Sequence, residues 1–221
     1  MVSVLYMPDG NRRFAEKNSI SYGEAYKIGS STLTLFAEFF VAEGRVEQLI
    51  YHAMSNYTHR RTDETVTAIF GAGLKALEDL AANDFFFSRN ITFRAIEHTG
   101  VLQKGISEII AKLESKIPHS PIGEVVVLMG YSLEQDMNFA LARNPKSYQE
   151  LRDYLLFPKI DLVLRNKEMQ PSGGPVYAMD QAQMIILDKL NPEISREDLE
   201  KAWDEYQELK KRHQTTSGLF R

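Results

Sequence analysis

The chain of 221 residues contains no cysteine. That removes disulfide-stapled scaffolds, zinc ribbons and thiol nucleophiles together. No uncharged apolar run reaches the ~18 residues that a membrane-spanning helix requires. The first residues, MVSVLYMPDG, have neither the basic start nor the apolar stretch of a secretory leader. A large surplus of either charge is missing as well. The 26 Lys and Arg against 30 Asp and Glu leave a formal net charge of -4, without the basic surplus of a general nucleic-acid binder. The sequence shows no linker, internal repeat or low-complexity segment, so one domain over 1–221 is expected. What is present is ordinary for a globular protein: 43% hydrophobic and 25% charged residues, in a chain long enough to bury one sizeable core. The expectation is a soluble, cytoplasmic protein with no membrane span and no nucleic-acid partner.

Short β-branched runs alternate with longer stretches at helical spacing. Val2–Met7, Gln48–Ala53, Ile91–Glu97, Glu124–Gly130 and Ile160–Arg165 read as buried strands, and Met184–Leu187 as a short sixth. Ser21-Tyr22-Gly23-Glu24 has the form of a capping box, opening a helix that should run to Glu43 with Gly44 as its stop. Val66, Ile69, Phe70, Leu74, Leu77 and Ala81 form an apolar stripe, which predicts a helix over Thr62–Ala82. Further helices are expected over Val101–Lys116, Leu133–Ala142, Tyr148–Leu155 and Ser195–His213, the last with Trp203 and Leu209 on its buried side. Strand–helix alternation repeated five or six times predicts an α/β fold, a mostly parallel six-stranded sheet covered by helices on both faces. Ligands of such sheets bind outside the carboxyl ends of the strands.

The first strand runs into Pro8-Asp9-Gly10-Asn11-Arg12-Arg13-Phe14. Gly10 lets the chain bend into a helix start, where the N–H groups of Asn11, Arg12 and Arg13 converge. A helix start of this kind attracts phosphate, and the two arginines add positive charge. Asp9 beside it could hold Mg²⁺, which takes one or two carboxylates plus substrate phosphate oxygens. An Asp-Gly turn with solvated arginines fits the same residues. His52, on a strand, reads as a hydrogen-bonded core residue and His59 as an exposed loop histidine. Glu134 and Asp136 fit a helix start by their charge, and Phe36, Phe39, Phe40 and Phe70 read as a packing set.

The Asp9–Phe14 stretch resembles the M-D-G-N-G-R-W signature of the cis-prenyltransferases, the undecaprenyl diphosphate synthase family. Asp9, Gly10, Asn11 and Arg13 match, and Phe14 stands where tryptophan is usual. The resemblance continues in order along the chain. Ser55 and Arg61 match the serine and arginine of S-x-E-N-W-x-R, with Glu64 one position from a family glutamate. Met129-Gly130-Tyr131-Ser132 falls at N-Y-G-G, and Ile160–Arg165 resembles the strand D-L-x-I-R. Ser172, Tyr177 and Ala182 then align with a family serine, tryptophan and alanine. The resemblance implies an Mg²⁺-dependent prenyltransferase and a homodimer, for which the apolar Met184–Leu187 run is a local motive. It implies Asp9 as metal ligand and aid to diphosphate departure, with Asn11 and Ser55 catalytic. Gly10, Arg12, Arg13, Phe14, Tyr22, Tyr26, Arg61, Arg165 and Ser172 would bind substrate.

Departures from the pattern narrow the expectation. Tyr22 and Tyr26 stand where long-chain enzymes place an arginine and a histidine. The P-D-G-x-R-R-[WF]-x-E-K-N pattern is more similar to the lavandulyl-type branch, which joins two units head-to-middle. In the acceptor half Gln170 replaces an arginine, Gln183 a metal-site glutamate, and Asn166-Lys167-Glu168 the usual T-G-G. A charge-assisted hydrogen bond contributes about 1.5–3 kcal/mol, so such losses weaken ordinary acceptor binding. The expected function is synthesis of a short, irregular prenyl diphosphate from an allylic one. The alternatives are a cyclase or lyase acting on a single prenyl diphosphate and a non-catalytic partner subunit. The retained Asp9, Asn11 and Arg13 argue against the last.

Overall fold

The structure is a computed structural model, and it describes residues 2–55, 64–98, 100, 104–168, 170 and 172–217. Six strands form one sheet in the order β3-β4-β2-β1-β5-β6: β1 Ser3–Met7, β2 Gln48–Ser55, β3 Ile91–Ile96, β4 Gly123–Tyr131, β5 Leu162–Asn166 and β6 Gln183–Leu187. Every pairing is parallel. β1, paired with β2 on one side and β5 on the other, is buried throughout, as is β5. That explains why it reads as a continuous apolar run and not as an alternation.

The helices are α1 Asn11–Asn18, α2 Tyr22–Ser30, α3 Thr32–Phe36, α4 Glu64–Ala82, α5 Phe85–Ser88, α6 Lys104–Glu114, α7 Leu133–Ala142, α8 Tyr148–Tyr154 and α9 Arg196–Ser217. One face of the sheet carries the larger core, where Tyr6 stacks on Phe36 at 3.8 Å and Phe40 meets Trp203 edge-on. Phe36, Phe39, Phe40 and Phe70 are all buried in it. Leu5, Met7, Ile50, Leu128, Phe157 and Val163 build the core of the opposite face.

Three expectations are corrected. The helix over Ser21–Glu43 is not continuous: it breaks at Ser31, resumes as α3 and widens into a π-helical segment over Ala37–Ala42. Ser30, Ser31 and Thr32 each turn a hydroxyl back onto the carbonyl three residues earlier, a competition that bends helices. Its ends are where expected, with Ser21 Oγ accepting from Glu24 N at 3.1 Å and Gly44 left-handed at φ 70°. On α9 the buried side is Leu199, Ala202 and Tyr206; Trp203 and Leu209 are half-buried. Asp136 does more than favour a helix dipole. It is 2% exposed and accepts from Tyr131 OH at 2.6 Å and from Leu156 N at 3.1 Å.

Candidate active site

The carboxyl ends of β1, β2, β4 and β5 meet at one cavity of about 590 Å³. β1 is also where the strand order reverses direction, with β2 on one side and β5 on the other, the place where open α/β sheets form a crevice. Irregular register between β2 and β4 from Tyr51 to Ser55 bends the rim of that crevice. The cavity has two chemical ends. Asp9 to Arg13, Arg165, Glu168 and Ser172 form a polar end, while Met54, Ile69, Ala72 and Met129 supply an apolar wall.

The polar end is built on the turn after β1. Gly10 caps α1 in the left-handed region at φ 94°, a conformation that other residues adopt only under strain. A Cβ there would also lie 2.5 Å from Leu190 Cδ2. With no side-chain cap on α1, its first N–H groups stay available at the cavity. The Asp9 carboxylate accepts from Gly10 N at 2.5 Å and is held between two guanidiniums, Arg13 at 3.2 Å and Arg165 at 3.3 Å. Arg13 also reaches Glu168 Oε1 at 3.1 Å, and Arg165 Nε donates to the Glu168 carbonyl at 2.6 Å. Arg165 is only 4% exposed. Burial lowers its pKa, and the charges of Asp9 and Glu168 oppose that shift.

Beneath the turn lies a buried polar network. The single Tyr6 hydroxyl hydrogen is shared between Asn166 Oδ1 at 2.8 Å and Asn191 Oδ1 at 2.7 Å, and Asn166 Oδ1 also accepts from Asp9 N at 3.1 Å. Thr32 Oγ1 lies 2.8 Å from Tyr51 OH. Burial raises the pKa of both tyrosines, that of Tyr6 well above the ordinary value. His52 is buried at 6% exposure, yet its Nε2 has no hydrogen-bond partner among the described residues, which corrects the expectation of a hydrogen-bonded core histidine. Burial, aided by the charge of Arg165, lowers its pKa from 6.5 to about 4.

A profile of the Prenyltransf family, described as "Putative undecaprenyl diphosphate synthase", matches residues 7–214. The chain belongs to this family. This prenyltransferase is 23% identical over 223 residues to a tritrans,polycis-undecaprenyl-diphosphate synthase (geranylgeranyl-diphosphate specific) of Pyrobaculum aerophilum, covering 95% of this chain and 94% of the relative. It is 24% identical to an isoprenyl transferase of Fusobacterium nucleatum, covering 92% and 91%. Among solved structures, lavandulyl diphosphate synthase from Lavandula x intermedia, in complex with dimethylallyl diphosphate, superposes with a TM-score of 0.84 at 18% identity, covering 92% of this chain and 94% of that one. The enzyme thus shares the cis-prenyltransferase fold as well as the family's sequence profile.

Of the residues singled out in the sequence of this prenyltransferase, Asp9, Gly10, Asn11, Arg12, Arg13, Tyr26, Arg165 and Ser172 line the one cavity. Ser172 does so in a left-handed conformation at φ 42°. Phe14 is half-buried on α1 and is not on that wall. Tyr22 lines a second cavity of about 440 Å³ beside Ala15 and Ile20, and its hydroxyl lies 3.4 Å from Glu16 Oε1. Ser55 ends β2, Glu64 opens α4, and Arg61 and His59 lie outside the described residues. Gln170 is on the cavity wall, but Gln183 is not. It pairs with Leu162 at the amino end of β6, three rungs from Arg165.

No sequence signal points to Asn191, whose partners are distant in the chain. Glu168 was noted there only as a departure from T-G-G, and its two arginine contacts were not expected. Gly29 was also missed. A Cβ at Gly29 would lie 2.2 Å from Asn11 Oδ1, and its place one helical turn beyond Tyr26 in α2 is the only local hint.

Proposed function

We propose that this prenyltransferase ionises a short allylic diphosphate, dimethylallyl diphosphate or a near homologue, and joins it to a second short unit by an irregular, head-to-middle bond. One observation carries the reading. The Asp9–Arg13 turn and the buried Arg165 form an arginine-bearing, N–H-rich polar end on a cavity whose other end is apolar. A prenyl diphosphate has the same division, an anionic head on a hydrocarbon tail. A volume of about 590 Å³ belongs to a small-molecule site, which fits a short product. The departure at Gln170, on the wall of the same cavity, favours a non-standard acceptor.

The N–H groups at the start of α1 and the Arg13 guanidinium receive the diphosphate. They stabilise it most when the allylic C–O bond breaks and its electron pair passes to the leaving oxygen. Met54, Ile69, Ala72 and Met129 hold the hydrocarbon and keep water from the cation. The alkene of the second unit, with its diphosphate near Arg165 and Ser172, donates its π pair to the allylic carbon. Loss of a proton from a neighbouring carbon restores a double bond. Ser55 and Arg61, on and after the end of β2, belong to the same proposed machinery, and Tyr26 shapes the tail site.

The donor set fits Mg²⁺. Among the described residues no group of three or more acidic or histidine side chains forms a protein cage, and Mg²⁺ needs only one or two carboxylates with phosphate oxygens and water. The cavity wall sets Arg12, Arg13 and Arg165 against Asp9, Glu16 and Glu168, so its formal charge is balanced. A diphosphate entering alone would leave it strongly negative. Asp9 would hold the ion together with the diphosphate. When bound, the ion supplies neutralising charge at the leaving group. A homodimer over β6, where Met184 is 37% exposed, is part of the proposal, and a light-scattering mass tests it. Calorimetry of dimethylallyl diphosphate with and without Mg²⁺ tests the site itself. Mg²⁺-dependent binding that Asp9→Ala abolishes is expected, and equal binding by both proteins would overturn the assignment.

A further inference from the structure

We propose that Asn191 is a positioning residue that fixes the side-chain amide of Asn11 with its N–H groups toward the cavity. Asn11 then meets an anionic diphosphate as a donor and not as an acceptor. The inference rests on the diphosphate reading above. Asn191 is 1% exposed, and both ends of its side chain are engaged. Its Oδ1 lies 2.7 Å from Tyr6 OH and 2.9 Å from Thr32 Oγ1, hydroxyls whose hydrogens it shares with Asn166 Oδ1 and the Gly29 carbonyl. Its Nδ2 donates to the Gly29 carbonyl at 3.0 Å and to Asn11 Oδ1 at 3.0 Å. Its backbone N–H donates to the Asp9 carbonyl at 2.8 Å, so one residue clips both ends of the Asp9–Asn11 turn.

The direction of this chain of bonds follows from chemistry. A backbone carbonyl can only accept, so the Gly29 contact settles which end of the Asn191 amide is nitrogen. The second Nδ2 hydrogen then faces Asn11, where only an oxygen can receive it. Asn11 Oδ1 is therefore turned inward. Its Nδ2 has no protein partner among the described residues, and Asn11 lines the cavity. An unrestrained asparagine could offer an anion lone pairs as readily as N–H groups. The three groups meet only because position 29 has no side chain: a Cβ there would lie 2.2 Å from Asn11 Oδ1 and 2.6 Å from Asn191 Nδ2.

Asn191→Leu removes the donor while keeping the branching and number of heavy atoms, and Tyr6 keeps Asn166 and Thr32 keeps the Gly29 carbonyl as partners. The test is a double-mutant cycle read by calorimetry with inorganic pyrophosphate and Mg²⁺, each protein first shown to be folded by circular dichroism. Asn191→Leu should weaken pyrophosphate binding about tenfold, the share of one charge-assisted hydrogen bond. In the Asn11→Ala background the same change should weaken it no further. Equal weakening in both backgrounds marks a merely structural residue and overturns the inference, as does no weakening in either. Gly29→Ala preserves the helix and should show the same loss with the same dependence on Asn11, which keeps the test decisive if Asn191→Leu does not fold. If the unaltered enzyme does not bind pyrophosphate at all, the diphosphate reading fails, and the inference falls with it. Binding with an additive cycle sinks the inference alone.

Discussion

His52 should make the enzyme lose stability in mild acid, well above the range where its paired carboxylates titrate. Its imidazole is buried and its Nε2 has no partner among the described residues, so the folded state holds it neutral down to about pH 4. The unfolded chain protonates it near pH 6.5. Above that pH both states are neutral and the histidine contributes nothing to the pH dependence. Between the two values the unfolded state binds the extra proton, so stability falls as pH falls. From these two pKa values the loss is about 1.4 kcal/mol at pH 5.5 and about 2.5 kcal/mol at pH 4.5. Glu43, which two arginines hold at a pKa of about 2, loses its contribution only below the ordinary glutamate range, so the windows separate. Urea denaturation of the unaltered protein and of His52→Leu at pH 7.5, 5.5 and 4.5 measures the effect. The leucine variant should gain on the unaltered protein by those amounts relative to pH 7.5. A difference that stays flat over the three pH values would refute the reasoning.

Gly10→Ala forces a Cβ into a left-handed position and against Leu190, so a loss of about 1–3 kcal/mol is expected, read by thermal or urea unfolding. Asp136→Ala leaves the buried Tyr131 hydroxyl and the Leu156 N–H without their acceptor. The same unfolding measurement should show a loss of about 2–4 kcal/mol, with a smaller loss for Asp136→Asn. Gln170→Arg adds a cation to the cavity wall and should tighten isopentenyl diphosphate about tenfold by calorimetry. Gln183→Glu, at the far end of β6, should not change that affinity in a monomer.

The strands were legible because buried parallel strands are short, nearly continuous apolar runs, and each of the six lies within two residues of its expected bounds. The Asp9–Arg13 turn was legible for a similar reason: glycine, an acid and two arginines sit side by side in the sequence, and the fold keeps them together. Features decided by distant partners were not visible. Asn191 meets Asn11 across 180 residues, and no local period marks it. Asp136 looks like any acid in a first helical turn until Tyr131 and Leu156 close over it. The break in the helix after Ser30 was written in three consecutive hydroxyls, but their backward hydrogen bonds compete weakly with helix and become evident only in three dimensions. Gln183 lies at the amino end of β6 and off the cavity wall, because sheet register and not order along the chain sets its place.

The central claim, cleavage of an allylic diphosphate at the Asp9–Arg13 turn followed by irregular joining to a second unit, is tested most directly by product analysis. The enzyme is incubated with Mg²⁺ and dimethylallyl diphosphate, with and without isopentenyl diphosphate, and the products are identified by mass spectrometry and nuclear magnetic resonance. A branched, head-to-middle diphosphate, formed by the unaltered enzyme and not by Asp9→Ala, is the predicted result. A hydrocarbon or alcohol from dimethylallyl diphosphate alone would instead mark a lyase or cyclase. A linear, head-to-tail chain, or no turnover, would contradict the account.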